Sequence, residues 1–266
     1  MSTNARRIVR EKRKDSKNRR RAILKSQVFA SVTGHGTGQG SPKEVMTVRM
    51  SVGSQKIFVA VAGNIGTGKT TLSQMLANHF QWDAHFESVS DNPYLADFYT
   101  DMKRWSFPLQ IYFMTHRVKS HQRITEGLSS AIQDRTIYED ANIFARNLYE
   151  QKLMEERDYR NYLEVYRVVT DALQPPDLMI YLRKSLPRLQ EQIKKRGRDY
   201  EQDMPPDYLL NLNRYYDEWI SGYQIGKKLV IESDELDFVA NRHDFDAICK
   251  MVINSLDQQD LFLHRS

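Results

Sequence analysis

An α/β fold, with a parallel β-sheet covered by helices on both faces, is the class this sequence predicts, and three observations predict it. A short, wholly apolar run at residues 57–62 leads through a glycine-rich turn straight into a helical apolar pattern. Strand-like runs then alternate with helical ones, the order that a parallel sheet with crossover helices demands. Beyond residue 56 the chain has about 210 residues, which suits one domain around one sheet, because single cores grow to roughly 250–300 residues.

The run IFVAVA at 57–62 is rich in β-branched and aromatic side chains and reads as a buried strand of a parallel sheet. GNIGTGKT at 63–70 follows and fits G-x-x-x-x-G-K-[ST]; TLSQMLANHF comes next, with Leu72, Met75, Leu76 and Phe80 on one helical face. Glycines let backbone N–H groups curl around phosphate oxygens, and the helix N-terminus adds a positive dipole end. Gly63, Asn64, Ile65, Gly66, Thr67, Gly68, Lys69, Thr70 and Thr71 are therefore candidates for binding a nucleoside triphosphate. Lys69 reaches the β- and γ-phosphates as a point charge, and the Thr70 hydroxyl is a ligand for Mg²⁺. A glycine turn of purely structural use is the alternative, and the strand before it and the helix behind it weigh against that.

AHFES at 84–88 reads as a second strand that ends at Glu87, followed by a helix through Phe98 and Met102. A carboxylate at the C-terminal end of such a strand lies on the ligand-bearing edge of the sheet, where it can orient and deprotonate a hydroxyl acceptor. An exposed strand-end acid is the alternative. Residues 106–126 read as a helix on which Gln110, Phe113, Met114 and Arg117 share one face, spaced i, i+3, i+4, i+7. Two fork-like polar groups separated by apolar ones can line a flat heterocycle; periodicity alone fits a core face with a salt-bridged arginine better. AIQDRTIYED gives another strand, ending in Asp134 and Arg135. That aspartate can complete a metal site opposite Thr70, and that arginine can counter charge during phosphoryl transfer, unless the two are ordinary surface ion pairs. Helices at about 139–154 and 158–174 follow, then a strand at 178–182 behind Pro175-Pro176. The pattern SLPRLQEQI and the basic turn KKRGRDYE precede a Pro205-Pro206 break; a helix at 207–224, a strand at 229–231 and a helix at 243–256 complete the order.

The set GNIGTGKTT, FESV…NPYL, RWSFPLQIYF…R, DRTIYED…IFA, KKRGRDYE and a late LDFV, in this order over residues 57–250, resembles the deoxyribonucleoside kinase family, nearest its bacterial deoxyadenosine/deoxyguanosine kinase branch. The resemblance implies a P-loop kinase fold with a five-stranded sheet, a homodimer, ATP as phosphate donor with Mg²⁺, and a deoxynucleoside as acceptor. It puts the general base toward the deoxyribose 5′-hydroxyl on Glu87 and the nucleobase-binding glutamine on Gln110. Arg117 and Asp140 fall where the family flanks the base, and Tyr99 and Glu201 where it holds the 3′-hydroxyl. The family's Glu-Arg-Ser motif stands here as Asp134-Arg135-Thr136, an acid one methylene shorter. Lys194, Lys195, Arg196 and Arg198 resemble its lid, at about 194–205, which closes arginines over the triphosphate so that transfer outruns hydrolysis. Some relatives carry a further arginine where this chain has Gln192, so that phosphate contact is either missing here or supplied by Lys194 or Lys195. By periodicity the same basic run is a solvated helix end.

Charge divides the chain. The whole sequence carries a formal +5, but residues 1–56 hold 14 basic and 3 acidic side chains, which leaves the remainder net acidic. This extension, arginine-rich and then glycine-rich, cannot bury enough surface to offset chain ordering and is expected to be disordered. It reads as a solvated tail, as residues upstream of a true start at Met46 or Met50, or as an arm for non-specific polyanion contacts; Glu11 and Asp15 weaken a transit-peptide reading. The single cysteine, Cys249, excludes an intramolecular disulfide framework, and no apolar run approaches the ~18 residues of a membrane span. A cytoplasmic location is expected. Two rival functions remain open at this point: a nucleoside monophosphate kinase, and a non-enzymatic P-loop protein associated with nucleic acid.

Overall fold

The computed structural model describes residues 56–86, 92–198 and 206–257. The expected basic extension up to residue 55, Glu87, Glu201 and the lid beyond residue 198 lie outside the described residues.

Five strands form one all-parallel sheet in the order β2-β3-β1-β4-β5: β1 (Phe58–Ala62), β2 (Asp83–His85), β3 (Ala131–Asp134), β4 (Leu178–Arg183) and β5 (Lys227–Glu232). Register is fixed by pairs such as Val61↔Asp134 and Val61↔Ile180 on the two sides of β1. The central strand is buried along its whole length because helices cover both faces. Its side chains alternate accordingly. Val59 and Val61 pack with Leu72 and Leu76 of α1 (Lys69–Phe80) and with Phe245, Ile248 and Val252 of α8 (Arg242–Asp257). Phe58, Ala60 and Ala62 face the other layer. That layer holds α3 (Met102–Glu126), α5 (Glu156–Ala172), α7 (Pro206–Ser221) and the composite α4, built from Ile137–Glu139, a π-helical Asp140–Ala145 and Arg146–Glu150. Short α2 (Leu95–Thr100) precedes α3, and α6 (Leu186–Arg196) follows β4.

Several expected boundaries move. The predicted helix through Phe98 and Met102 breaks at Asp101, whose carboxylate accepts the Arg104 N–H at 3.1 Å and caps α3. α3 therefore starts at Met102 rather than 106 and runs through Pro108. β2 ends at His85, ahead of the predicted end at Glu87; among the described residues it is an edge strand, paired with β3. The helix expected from 139 to 154 begins where the Glu139 carboxylate reaches back to accept the Thr136 N–H at 2.9 Å, and it stops at Glu150. Cys249 is a buried core residue, and burial pushes its thiol up to about 12.

His121, one turn beyond Arg117 on α3, is fully buried and donates from Nε2 to the Gln174 carbonyl at 2.6 Å, while its Nδ1 has no partner among the described residues. Burial holds its pKa below the usual histidine value. The unfolded chain therefore takes up this proton first as pH falls, so stability contributed by neutral His121 is present above about pH 6.5 and declines below it, by at most about 1.4 kcal/mol per pH unit. Between pH 7 and 5 the melting temperature of His121→Phe is expected to fall less than that of the parent; parallel curves in differential scanning calorimetry would refute this.

Candidate active site

The loop 63–68 leaves the C-terminal end of β1, and Asp134-Arg135 leave the C-terminal end of β3 beside it. Chain connections turn in opposite directions from these two strands, so the loop and the Asp-Arg pair share the crevice where such folds bind ligands. The loop needs its glycines. Gly66 has φ +85°, and a Cβ there would lie 2.9 Å from Ile193 Cγ1 and 3.1 Å from the Leu189 carbonyl, so α6 rests directly on the loop's crown. Gly68, at φ +93°, turns the chain into α1.

Asn64 ties the loop down. Its buried carboxamide donates to the Leu209 carbonyl at 2.9 Å and to Asn213 Oδ1 at 2.7 Å, both on α7. Its own carbonyl accepts from the Thr67 hydroxyl at 3.0 Å and from Lys69 Nζ at 2.8 Å. Lys69 is thus folded onto its own loop. Burial first and the Arg135 charge second bring its ammonium down to about 7, with Asp134 and Glu139 opposing them. A triphosphate in the loop supplies the counter-charge this ammonium needs.

The Thr70 hydroxyl donates to Asp134 Oδ2, so the shortened acid does reach the P-loop threonine. Asp134 Oδ1 is buried with no hydrogen-bond partner among the described residues. Oxygen donors of this kind, one left unfilled, fit a hard cation such as Mg²⁺ that keeps most of its waters and takes one carboxylate from the protein.

Arg135 has the left-handed φ of +67°, unusual for a side-chain-bearing residue. Its N–H donates to the Val61 carbonyl at 3.0 Å, its guanidinium stacks 4.4 Å over the Phe144 ring, and NH1 donates to the Tyr216 hydroxyl at 3.0 Å. A backbone held in a costly region on all these sides marks a residue whose placement is over-determined by its surroundings.

On α3, Gln110, Met114 and Arg117 are all buried, as the seven-residue spacing requires, with Phe113 half-buried beside them. Arg117 lies 4.9 Å over the Phe113 ring and ion-pairs with Asp140 on the π-helical turn, both groups almost wholly buried. This is the salt bridge that periodicity allowed for. Gln110 departs from the core-face reading, because its Oε1 is buried with no partner among the described residues. Tyr99 sits half-buried on α2 against Phe98. Arg196 ends α6 and Arg198 follows the left-handed Gly197; both are exposed, and Arg196 is near enough to bear on Lys69. Thr71 is exposed on the first turn of α1.

Glu139 was given no role by the sequence, although Thr136-x-x-Glu139 is a legible capping box. It is fully buried; Oε1 accepts the Thr136 N–H at 2.9 Å, and Oε2 accepts the Gly63 N–H at 3.4 Å and the Tyr216 hydroxyl at 2.7 Å.

A parallel sheet whose crevice joins a phosphate-binding loop to an acid-arginine pair defines a P-loop phosphotransferase. Residues 59–257 match the family described as Deoxynucleoside kinase, and the chain belongs to it. It is 35% identical over 73% of its length to the deoxyadenosine/deoxycytidine kinase of Bacillus subtilis, of which it covers 91%. With the deoxyadenosine kinase of Dictyostelium discoideum it shares 41% identity, over 61% of this chain and 66% of that one. Among solved structures, deoxyadenosine kinase from M. mycoides with bound dATP is 30% identical at a TM-score of 0.66, covering 74% of this chain and 98% of the other. The protein is therefore a kinase that phosphorylates deoxynucleosides, and the monophosphate-kinase and non-enzymatic readings are not favoured.

Proposed function

We propose that this enzyme transfers the γ-phosphate of ATP to the 5′-hydroxyl of deoxyadenosine, deoxyguanosine or deoxycytidine in preference to thymidine. Buried Gln110 carries the base reading. A carboxamide oxygen shut away from water without a donor costs about 1–3 kcal/mol, and a nucleobase N–H that fills it regains that stabilisation. The Arg117–Asp140 pair beyond it offers a donor fork and an acceptor edge to the base, and its bulk crowds a 5-methyl group. Tyr99 and Glu201 hold the 3′-hydroxyl, and Glu87 orients the 5′-hydroxyl and takes its proton.

The loop amides and Lys69 bind the triphosphate, and Arg135 spreads its charge over the transferring phosphoryl group, with Arg196 and Arg198 closing from the lid. Thr70 and Asp134 would hold Mg²⁺, which when bound neutralises phosphate charge. A homodimer through the helices beside the site completes the reading, supported by exposed Val165 and Val168 three residues apart on α5. No helix among the described residues is long and apolar enough to cross a membrane; the cytoplasmic location is carried from the sequence.

A panel of the four deoxynucleosides with ATP, run on chains starting at Met1 and at Met46, tests this. Thymidine is expected to give the lowest kcat/KM with both chains. Thymidine as the best substrate would overturn the base assignment, and activity confined to the longer chain would give the extension a role.

A further inference from the structure

Tyr216 lies on α7, outside every motif of the site, and is wholly buried. Its ring stacks on Tyr181 at 5.5 Å and 11° between planes. A phenylalanine would fill that space as well, so the hydroxyl is the group in need of a reason. It donates to Glu139 Oε2 at 2.7 Å and accepts from Arg135 NH1 at 3.0 Å, while Arg135 NH1 and Glu139 Oε2 stand 3.8 Å apart. The hydroxyl therefore bridges a cation and an anion that would otherwise meet directly.

That spacing matters for the chemistry. In a buried site, full contact with Glu139 would fold the guanidinium onto the carboxylate and quench the charge that a transferring phosphoryl group needs. With the hydroxyl between them, the carboxylate still balances the adjacent cations Lys69 and Arg135, while the guanidinium carbon lies 4.4 Å over the Phe144 ring. Glu139 is itself fixed by the Thr136 and Gly63 amides, so the bridge refers Arg135 to the first residue of the phosphate-binding loop.

We propose that Tyr216, acting through its bridge to Glu139, is a positioning residue that sets the orientation of the Arg135 guanidinium for phosphoryl transfer. The inference rests on the reading of Arg135 as the charge-stabilising residue. Tyr216→Phe and Arg135→Lys, singly and together, test it through kcat and both KM values measured well below the melting temperature of each variant. Tyr216→Phe is expected to lower kcat about tenfold with both KM values within about threefold, the pattern of an interaction made only in the transition state. In the Arg135→Lys background the same change should cost less than about twofold, because an ammonium has no planar fork to orient.

A tenfold loss in both backgrounds, or unchanged kcat in Tyr216→Phe, would overturn the positioning role while leaving Arg135 its own. Unchanged kcat in Arg135→Lys would instead overturn the reading of Arg135, and the inference with it. The coupling term separates positioning from packing, since a merely structural hydroxyl loses the same factor whatever stands at 135.

Discussion

Arg135→Ala and Arg135→Gly should each lower kcat by about 10³-fold, the scale at which an arginine stabilises phosphoryl-transfer charge, yet the glycine variant should melt at the higher temperature. The two losses of activity have one cause, removal of the guanidinium stacked on Phe144 and bonded to Tyr216. The difference in stability has another. At φ +67° an alanine meets the same Cβ–carbonyl crowding as arginine, whereas glycine adopts the left-handed region freely, worth about 1 kcal/mol in its favour. Both variants equally deprive Glu139 of the Arg135 charge, so that penalty cancels in the comparison. Equal melting temperatures would mean that the backbone at 135 relaxes out of the left-handed region once the side chain is gone, and turnover within tenfold of the parent would remove Arg135 from the charge-stabilising role.

The parts of the site that sequence made legible are those where physics acts over a few residues. GNIGTGKT declares itself because each glycine answers a local demand, such as the positive φ at Gly66 and the atoms that crowd its missing Cβ. The face of α3 that buries Gln110, Met114 and Arg117 follows from helical period alone. Its start did not, because Pro108 looks like a boundary and the real one is the Asp101 carboxylate turning back on the Arg104 amide. What stayed hidden is non-local. Asn64 bonds to Asn213, 149 residues away, and Glu139 to Tyr216, 77 residues away, and neither pair leaves a spacing to read. The π-helical turn that carries Asp140 to Arg117 has no composition of its own, and the left-handed backbone of Arg135 occurs at a residue type that gives no warning of it.

Glu87→Gln is the second large effect expected, a fall in kcat of about 10²–10⁴-fold with the nucleoside KM within about threefold. β2 pairs His85 with Gln133, the residue before Asp134, so the chain reaches the ligand edge of the sheet just ahead of Glu87. The role proposed for Glu87 has two separable tasks, to orient the 5′-hydroxyl and to accept its proton as the new P–O bond forms. Glutamine keeps the size and a hydrogen-bonding oxygen, so orientation and ground-state binding survive, and only the transition-state share of the interaction is lost. Glu87→Asp tests the other task, because it keeps the base and withdraws it by one methylene. If withdrawal costs as much as neutralisation, a base at the wrong distance is of little use and the two tasks count equally. If the aspartate variant retains most of its turnover while the glutamine variant does not, proton acceptance dominates. Near-normal turnover in Glu87→Gln would exclude proton acceptance by Glu87 and require the acceptor hydroxyl to be deprotonated elsewhere, with Asp134, bonded to the P-loop threonine, the carboxylate to test next.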